Sequence, residues 1–195
     1  MKRIMSSAID RTILTARRFC RPVGRLAGDE RGMSAVEFAM LLPLMVTLYL
    51  GSVELSQGIA ADRKVTLTTR TVADLVSQAS NVTNADMTNS LNASSAVMAP
   101  YSVTNLKVVV SCISIDATGK ATVSWSDTLN GTARTKGSTV TLPAALNVPS
   151  TSLILSEVQY AYKPTIGYLI SGTLTLKDQI YMRPRLSDTV TRSAT

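Results

Sequence analysis

The sequence predicts an α+β protein: a long N-terminal helix, membrane-spanning and then amphipathic, packed on a small antiparallel β-sheet. Three observations predict it. Residues 33–53 are largely apolar, with Glu37 as the only charge. Residues 54–79 contain no proline and keep one apolar stripe at helical spacing. From Tyr101 onward, apolar residues alternate in short runs separated by turn residues.

Residues 1–32 read as a basic cytoplasmic leader. The first 31 residues hold eight basic and three acidic side chains, a net of +5, while the other 164 hold twelve and ten, a net of +2. The overall charge of +7 is therefore mostly N-terminal. Basic residues flanking an apolar segment keep that flank in the cytoplasm. No basic stripe continues into the body and no zinc-finger spacing appears, so nucleic acid is not an expected partner.

Residues 33–56 read as a transmembrane helix. The 21 residues 33–53 would rise about 31 Å at ~1.5 Å each, matching a hydrocarbon core of about 30 Å. Pro43 lies inside, which a membrane helix tolerates with a bend. The competing readings are a cleaved secretory signal, with Gly58-Ile59-Ala60 as a weak cleavage candidate, and a buried helix of a soluble fold. Residues 57–79 extend the helix amphipathically: Ala61, Val65, Val72, Val76 and Ala79 form the stripe, and Asp62, Arg63, Arg70 and Asp74 fall mostly off it.

Residues 80–100 read as a short helix or a loop. Thr83 with Asp86 resembles a capping pair, Met87, Leu91, Ser95 and Met98 recur behind it, and Pro100 ends it. The richness in Asn, Ser and Thr leaves a mobile loop as the alternative. Residues 101–186 form the antiparallel β domain. Val103, Leu106, Val108, Val110, Cys112, Ile113 and Ile115 mark a strand, Asp116-Ala117-Thr118-Gly119 a turn, and residues 120–126 the returning strand. A brief strand is expected over residues 140–142. Residues 153–162 alternate with a slip near Ser156-Glu157 that suggests a bulge. Residues 168–182 supply a last strand or pair, with Leu174, Leu176, Ile180 and Tyr181 as core candidates. Residues 187–195 are a polar tail. Cys20 and Cys112 flank the span and cannot bridge within one chain. Cys112 reads as a small buried hydrophobe, with pairing to another chain as the alternative.

The most informative position is the junction at Gly32. Glycine gives the backbone freedom to present an extended bond to a protease, and cleavage there would leave a new amine on Met33. Glu37 lies one helical turn on. A carboxylate entering a bilayer must find a partner or a proton; the Met33 amine of its own or a neighbouring subunit is one partner, and snorkelling into the headgroups is the bland alternative. Glu54, at the far end of the apolar run, reads as a marker of the outer interface or a helix–helix contact. Gly51, Ser52 and Gly58 form a weak small-residue patch beside it.

The segment Asp29-Glu30-Arg31-Gly32-Met33-Ser34-Ala35-Val36-Glu37-Phe38-Ala39-Met40-Leu41-Leu42-Pro43 resembles the start of TadE-like proteins of bacterial tight-adherence pilus systems. Gly32 and Glu37 match the family's processing-site glycine and mature glutamate, and Phe38 stands where tyrosine is frequent. Gly51-Ser52-Val53-Glu54 resembles the family's membrane helix, and Tyr160-Ala161-Tyr162-Lys163-Pro164 and Met182-Arg183-Pro184-Arg185 its C-terminal region. The resemblance implies processing at Gly32 and Met33 by a prepilin peptidase, and assembly contacts at Glu37, Phe38 and Glu54. It implies as partners the pilin and other TadE-like subunits, the inner-membrane assembly platform and the lipid bilayer. The location implied is the bacterial inner membrane, with the C-terminal domain periplasmic, or extracellular when incorporated in a pilus.

Nothing in the sequence points to an enzyme. The chain has no histidine, which removes imidazole base chemistry and most zinc sites. No carboxylate pair, phosphate loop or nucleophile elbow appears, and no cofactor or metal is expected. Two functional classes remain: a pilin-like minor structural or assembly component supporting pilus biogenesis and adhesion, and a permanently anchored extracytoplasmic binding or sensory domain without a pilus role.

Overall fold

The computed structural model describes residues 30–167 and 171–193, the side chains of Glu30 and Arg31 excepted. The leader up to residue 29, with Cys20, the first part of the expected last strand at residues 168–170, and residues 194–195 lie outside the described residues. The chain divides into two units, at Gly51 and Ser52.

Helix α1 (Glu30–Ser77) is continuous through the apolar segment and the amphipathic one. In the first unit, residues 32–46 expose every side chain. That is the expected appearance of a segment whose apolar surface has no packing partner among the described residues. Pro43 sits inside the helix, and the Thr47 hydroxyl donates to its carbonyl at 2.8 Å.

In the second unit, α1 buries the expected stripe: Ala61, Val65, Val72 and Val76 are enclosed, joined by Ala73. Thr68 and Thr69 are buried in the same face. Their hydroxyls donate to the carbonyls of Lys64 and Val65, each at 2.8 Å, so neither is left unsatisfied in the interior. Strand β1 (Asn81–Val82) follows, then helix α2 (Asn84–Met98). The capping pair forms as expected. Asp86 N–H donates to the Thr83 hydroxyl oxygen at 3.2 Å, and Thr83 N–H donates back to the Asp86 carboxylate at 3.1 Å. Hydrogen bonds from Thr83, side chain first and backbone second, hold the Asp86 carboxyl below its ordinary value of 3.8. Met87, Leu91, Ser94 and Met98 are the buried face of α2.

The sheet holds β2 (Leu106–Ile115), β3 (Ala121–Leu129), β4 (Thr151–Tyr162) and β5 (Leu174–Met182). Its order is β3-β2-β4-β5, antiparallel throughout. The β2–β3 turn is shaped by Asp116, whose carboxylate accepts from Thr118 N–H at 2.8 Å and Lys120 N–H at 2.9 Å. Gly119 completes it at φ +85°, a left-handed conformation glycine adopts without strain.

Both faces of the sheet are used. Leu106, Val108, Val110, Cys112, Ile154, Val158, Tyr160 and Tyr162 pack with the α1 stripe and the buried face of α2. On the opposite face a second cluster joins Ile113, Ile115, Ala121, Val123, Leu153 and Leu155 to Val140, with Leu142 and Leu146 packed against it. Residues 130–150 thus cover one end of that face, with Ala144–Leu146 as a short 3-10 turn. The brief strand expected near Val140 reduces to one bridge, Thr122 with Thr139.

The slip near Ser156-Glu157 is not a bulge. The β2–β4 and β4–β5 registers run without a break. Alternation fails there because Ser152 to Ser156 are buried on both faces, whereas only one face is enclosed further along. The register shift lies between Cys112 and Ile113 of β2, opposite Val123 and Trp125, so that Ser124 is the extra residue on β3. One added residue moves every following side chain to the other face. Val123 therefore joins the second cluster while Trp125 packs on the first.

The polar tail turns back into the fold. Residues Thr191–Arg192 form β6, parallel to β1. Val190 is buried, and the Arg192 guanidinium pairs with Asp127 at 2.8 Å and donates to Asn84 Oδ1 at 2.7 Å.

Candidate functional site

Gly32, Met33, Glu37 and Phe38 all fall on α1 in the first unit and are exposed. The Gly32–Met33 bond lies in helical backbone, not in the extended form expected at this junction, because α1 begins at Glu30 rather than at Met33. A Cβ added at Gly32 would meet nothing within 4 Å. Glycine inside a helix costs about 1 kcal/mol relative to alanine, and no crowding at this position requires it. Met33 and Glu37, four residues apart, share one helix face. Phe38 stands beside them with 57% of its surface exposed.

Glu54, at the end of the apolar run, belongs to the second unit and is 1% exposed, so its carboxylate is enclosed by its own chain. Gly58, one turn on, faces the same chain: an added Cβ would stand 3.9 Å from Tyr162 Cε1.

Around this turn gather three tyrosines. Tyr101 meets Tyr160 and Tyr162 edge-on, with ring centroids 6.3 Å apart in both pairs. The Tyr101 hydroxyl donates to the Gln57 carbonyl at 3.3 Å. Tyr160 and Tyr162 neighbour one another on one face because β4 alternates, and Tyr101 arrives from the turn after Pro100. Burial pushes both the Tyr160 and Tyr162 phenols up; the neighbouring Tyr101 and Glu54 add to the effect at Tyr162. The Tyr162 hydroxyl is buried and has no hydrogen-bond partner. Together with Gln57, Pro100, Lys163 and Thr165, the rings line a cleft of ≈ 390 Å³. The signal for this cleft in the sequence is two tyrosines at strand spacing, Tyr160 and Tyr162, beside Lys163.

A second concavity, ≈ 850 Å³, lies on the sheet face away from α1, bounded by Lys107, Val109, Arg134, Glu157, Gln159 and Lys177 among others. Arg134 donates to both Glu157 carboxylate oxygens at 2.7 Å. Among the described residues, no group of three or more His, Cys, Asp or Glu side chains is placed to hold a metal.

Among the described residues one helix is long and apolar enough to cross a membrane, by length and composition, and it leads into an α+β unit with an antiparallel sheet. The family model described as TadE-like protein matches residues 32–74. That segment carries the glycine, the glutamate and the apolar span of the chain. No curated protein and no solved structure matches the chain significantly.

Proposed function

We propose that this chain is a pilin-like minor structural or assembly component of a tight-adherence pilus, working by contact rather than turnover. The observation that carries the reading is the composition of the TadE-like segment. An exposed apolar helix carries, in its first turn, a glycine that packing does not demand and holds Glu37 one turn beyond Met33. Under this reading Gly32 and Met33 flank the bond cut by a prepilin peptidase. The first turn of α1 opens to enter the protease, which the missing side chain at Gly32 makes easier. The Met33 amine then becomes the partner of Glu37, in its own subunit or the next, and Phe38 packs against neighbouring pilin or TadE-like helices. Residues 33–53 lie in the inner membrane with the arginine-rich side in the cytoplasm and the sheet unit in the periplasm. Glu54, at the end of the apolar run, is the remaining assembly position of this reading and is enclosed within its own unit.

Mass spectrometry of the protein from native membranes tests the processing step. A mature chain starting at Met33 supports it, and a chain starting at Met1 favours an unprocessed assembly factor or a permanently anchored binding domain. A Glu37→Ala variant tests the pairing. Loss of co-purification with pilus proteins, at unchanged membrane level, supports it; unchanged association counts against it.

A further inference from the structure

We propose that the cleft between Tyr101, Tyr160, Tyr162 and Lys163 binds the headgroup of an anionic phospholipid. The inference rests on the reading that residues 33–53 cross a bilayer, and deepens it.

Three observations converge. The first is place. Gln57, in the cleft lining, stands four residues beyond Val53, the last residue of the uncharged stretch. Four residues of helix rise only about 6 Å, so a bilayer ending near Val53 has its headgroups at this level of the chain.

The second is chemistry. Tyrosine has an apolar ring and a polar tip, and such side chains concentrate where hydrocarbon meets water. Lysine adds a positive charge on a flexible stem that reaches a phosphate while its methylenes stay apolar. Lys163 is the one charged residue in the lining. It is exposed and makes no ion pair among the described residues. Glu54, the acidic neighbour of Tyr162, is enclosed in the interior and leaves the mouth of the cleft to the ammonium group.

The third is an unmet demand. The Tyr162 hydroxyl is buried without a partner among the described residues, which is destabilising while nothing satisfies it. That oxygen is closed to water as it stands, but its ring lines the cleft, and a phosphate or glycerol oxygen beside Lys163 would supply an acceptor once the ring turns toward it.

The experiment uses the full chain in phosphatidylcholine nanodiscs doped with phosphatidylglycerol whose headgroup carries a photoactivatable group. Adducts are mapped by mass spectrometry. They should concentrate on the peptides holding Tyr101 and residues 160–163. Lys163→Gln should lower that yield about fivefold, the effect of one lysine at an anionic surface. Lys107→Gln, on the far face of the sheet, should leave it unchanged. The basic leader is common to all variants and cancels in the comparison. Adducts spread evenly over the chain, or an equal loss with Lys107→Gln, would overturn the inference alone. Displacement by millimolar inorganic phosphate would do so too, because it would identify a free-anion site. A chain that does not enter the discs would overturn the anchor reading and this inference together.

Discussion

Trp125 Nε1 donates to the carbonyl oxygen of Val190 at 2.7 Å, tying an edge strand of the sheet to a segment 65 residues away. Val190 is itself 1% exposed. The C-terminal segment therefore closes the core rather than trailing from it. Deleting residues 187–195 should leave the chain in membranes but shift Trp125 emission to longer wavelength. It should lower the stability of the sheet unit by about 2–4 kcal/mol, the range for losing a buried aliphatic side chain and leaving a polar group unpaired. Unchanged emission would show that Trp125 does not depend on this contact.

Leu153 and Ile154 are adjacent on β4, point to opposite faces and are both buried. Leu153→Ala and Ile154→Ala should each cost about 2–4 kcal/mol in denaturant melts of the detergent-solubilised chain. A one-sided sheet would lose stability at only one of them. A near-neutral Leu153→Ala would mean that residues 130–150 do not cover the second face.

Thr83→Ala should destabilise the fold by about 1 kcal/mol at neutral pH through loss of the N-cap. The same box predicts a pH dependence whose sign follows from Asp86. Its carboxyl titrates lower in the fold than its ordinary 3.8, so the folded state favours the charged form. The contribution is complete above the unfolded value and is lost as pH falls through the lower folded value. Thermal melts of wild type and Asp86→Asn should differ at pH 7 and converge below that window. A gap that persists in strong acid would assign the stabilisation to something other than the carboxylate.

Cys112 is fully enclosed, and burial raises its thiol pKa, with the Thr189 hydroxyl and the Val190 backbone opposing this in part. The thiolate is the reactive form. In a Cys20→Ser background, a disulfide reagent at pH 8 should label the native chain negligibly and the denatured chain stoichiometrically. Rapid native labelling, or a disulfide-linked dimer from native membranes, would restore intermolecular pairing as the reading.

The fold was legible in the sequence where one periodicity ruled. The α1 stripe of Ala61, Val65, Val72 and Val76 and the Thr83–Asp86 box depend on local spacing, and both appear as read. The features that escaped depend on tertiary partners. Ser156 looked like a slip because the sequence does not show that two faces of β4 are covered at one end and one at the other. The Ser124 bulge is visible only once β3 is set against β2. Val190 is one apolar residue in a polar run, too little for any pattern. The enclosure of Glu54 beside Tyr162 involves a residue over a hundred positions away, which no local pattern shows. At the candidate site, Gly32, Glu37 and Phe38 are proposed from their order along the chain alone, whereas the tyrosine cleft required the fold.

The uneven covering of β4 has an evolutionary consequence. Along a single strand, residues 152–156 are confined on both sides, while Glu157, Gln159 and Ala161 keep one side open. Descendants of this chain should accumulate substitutions at the second set and almost none at the first. Diversification of whatever that face of the sheet meets would then proceed from one end of the strand while the other stays frozen.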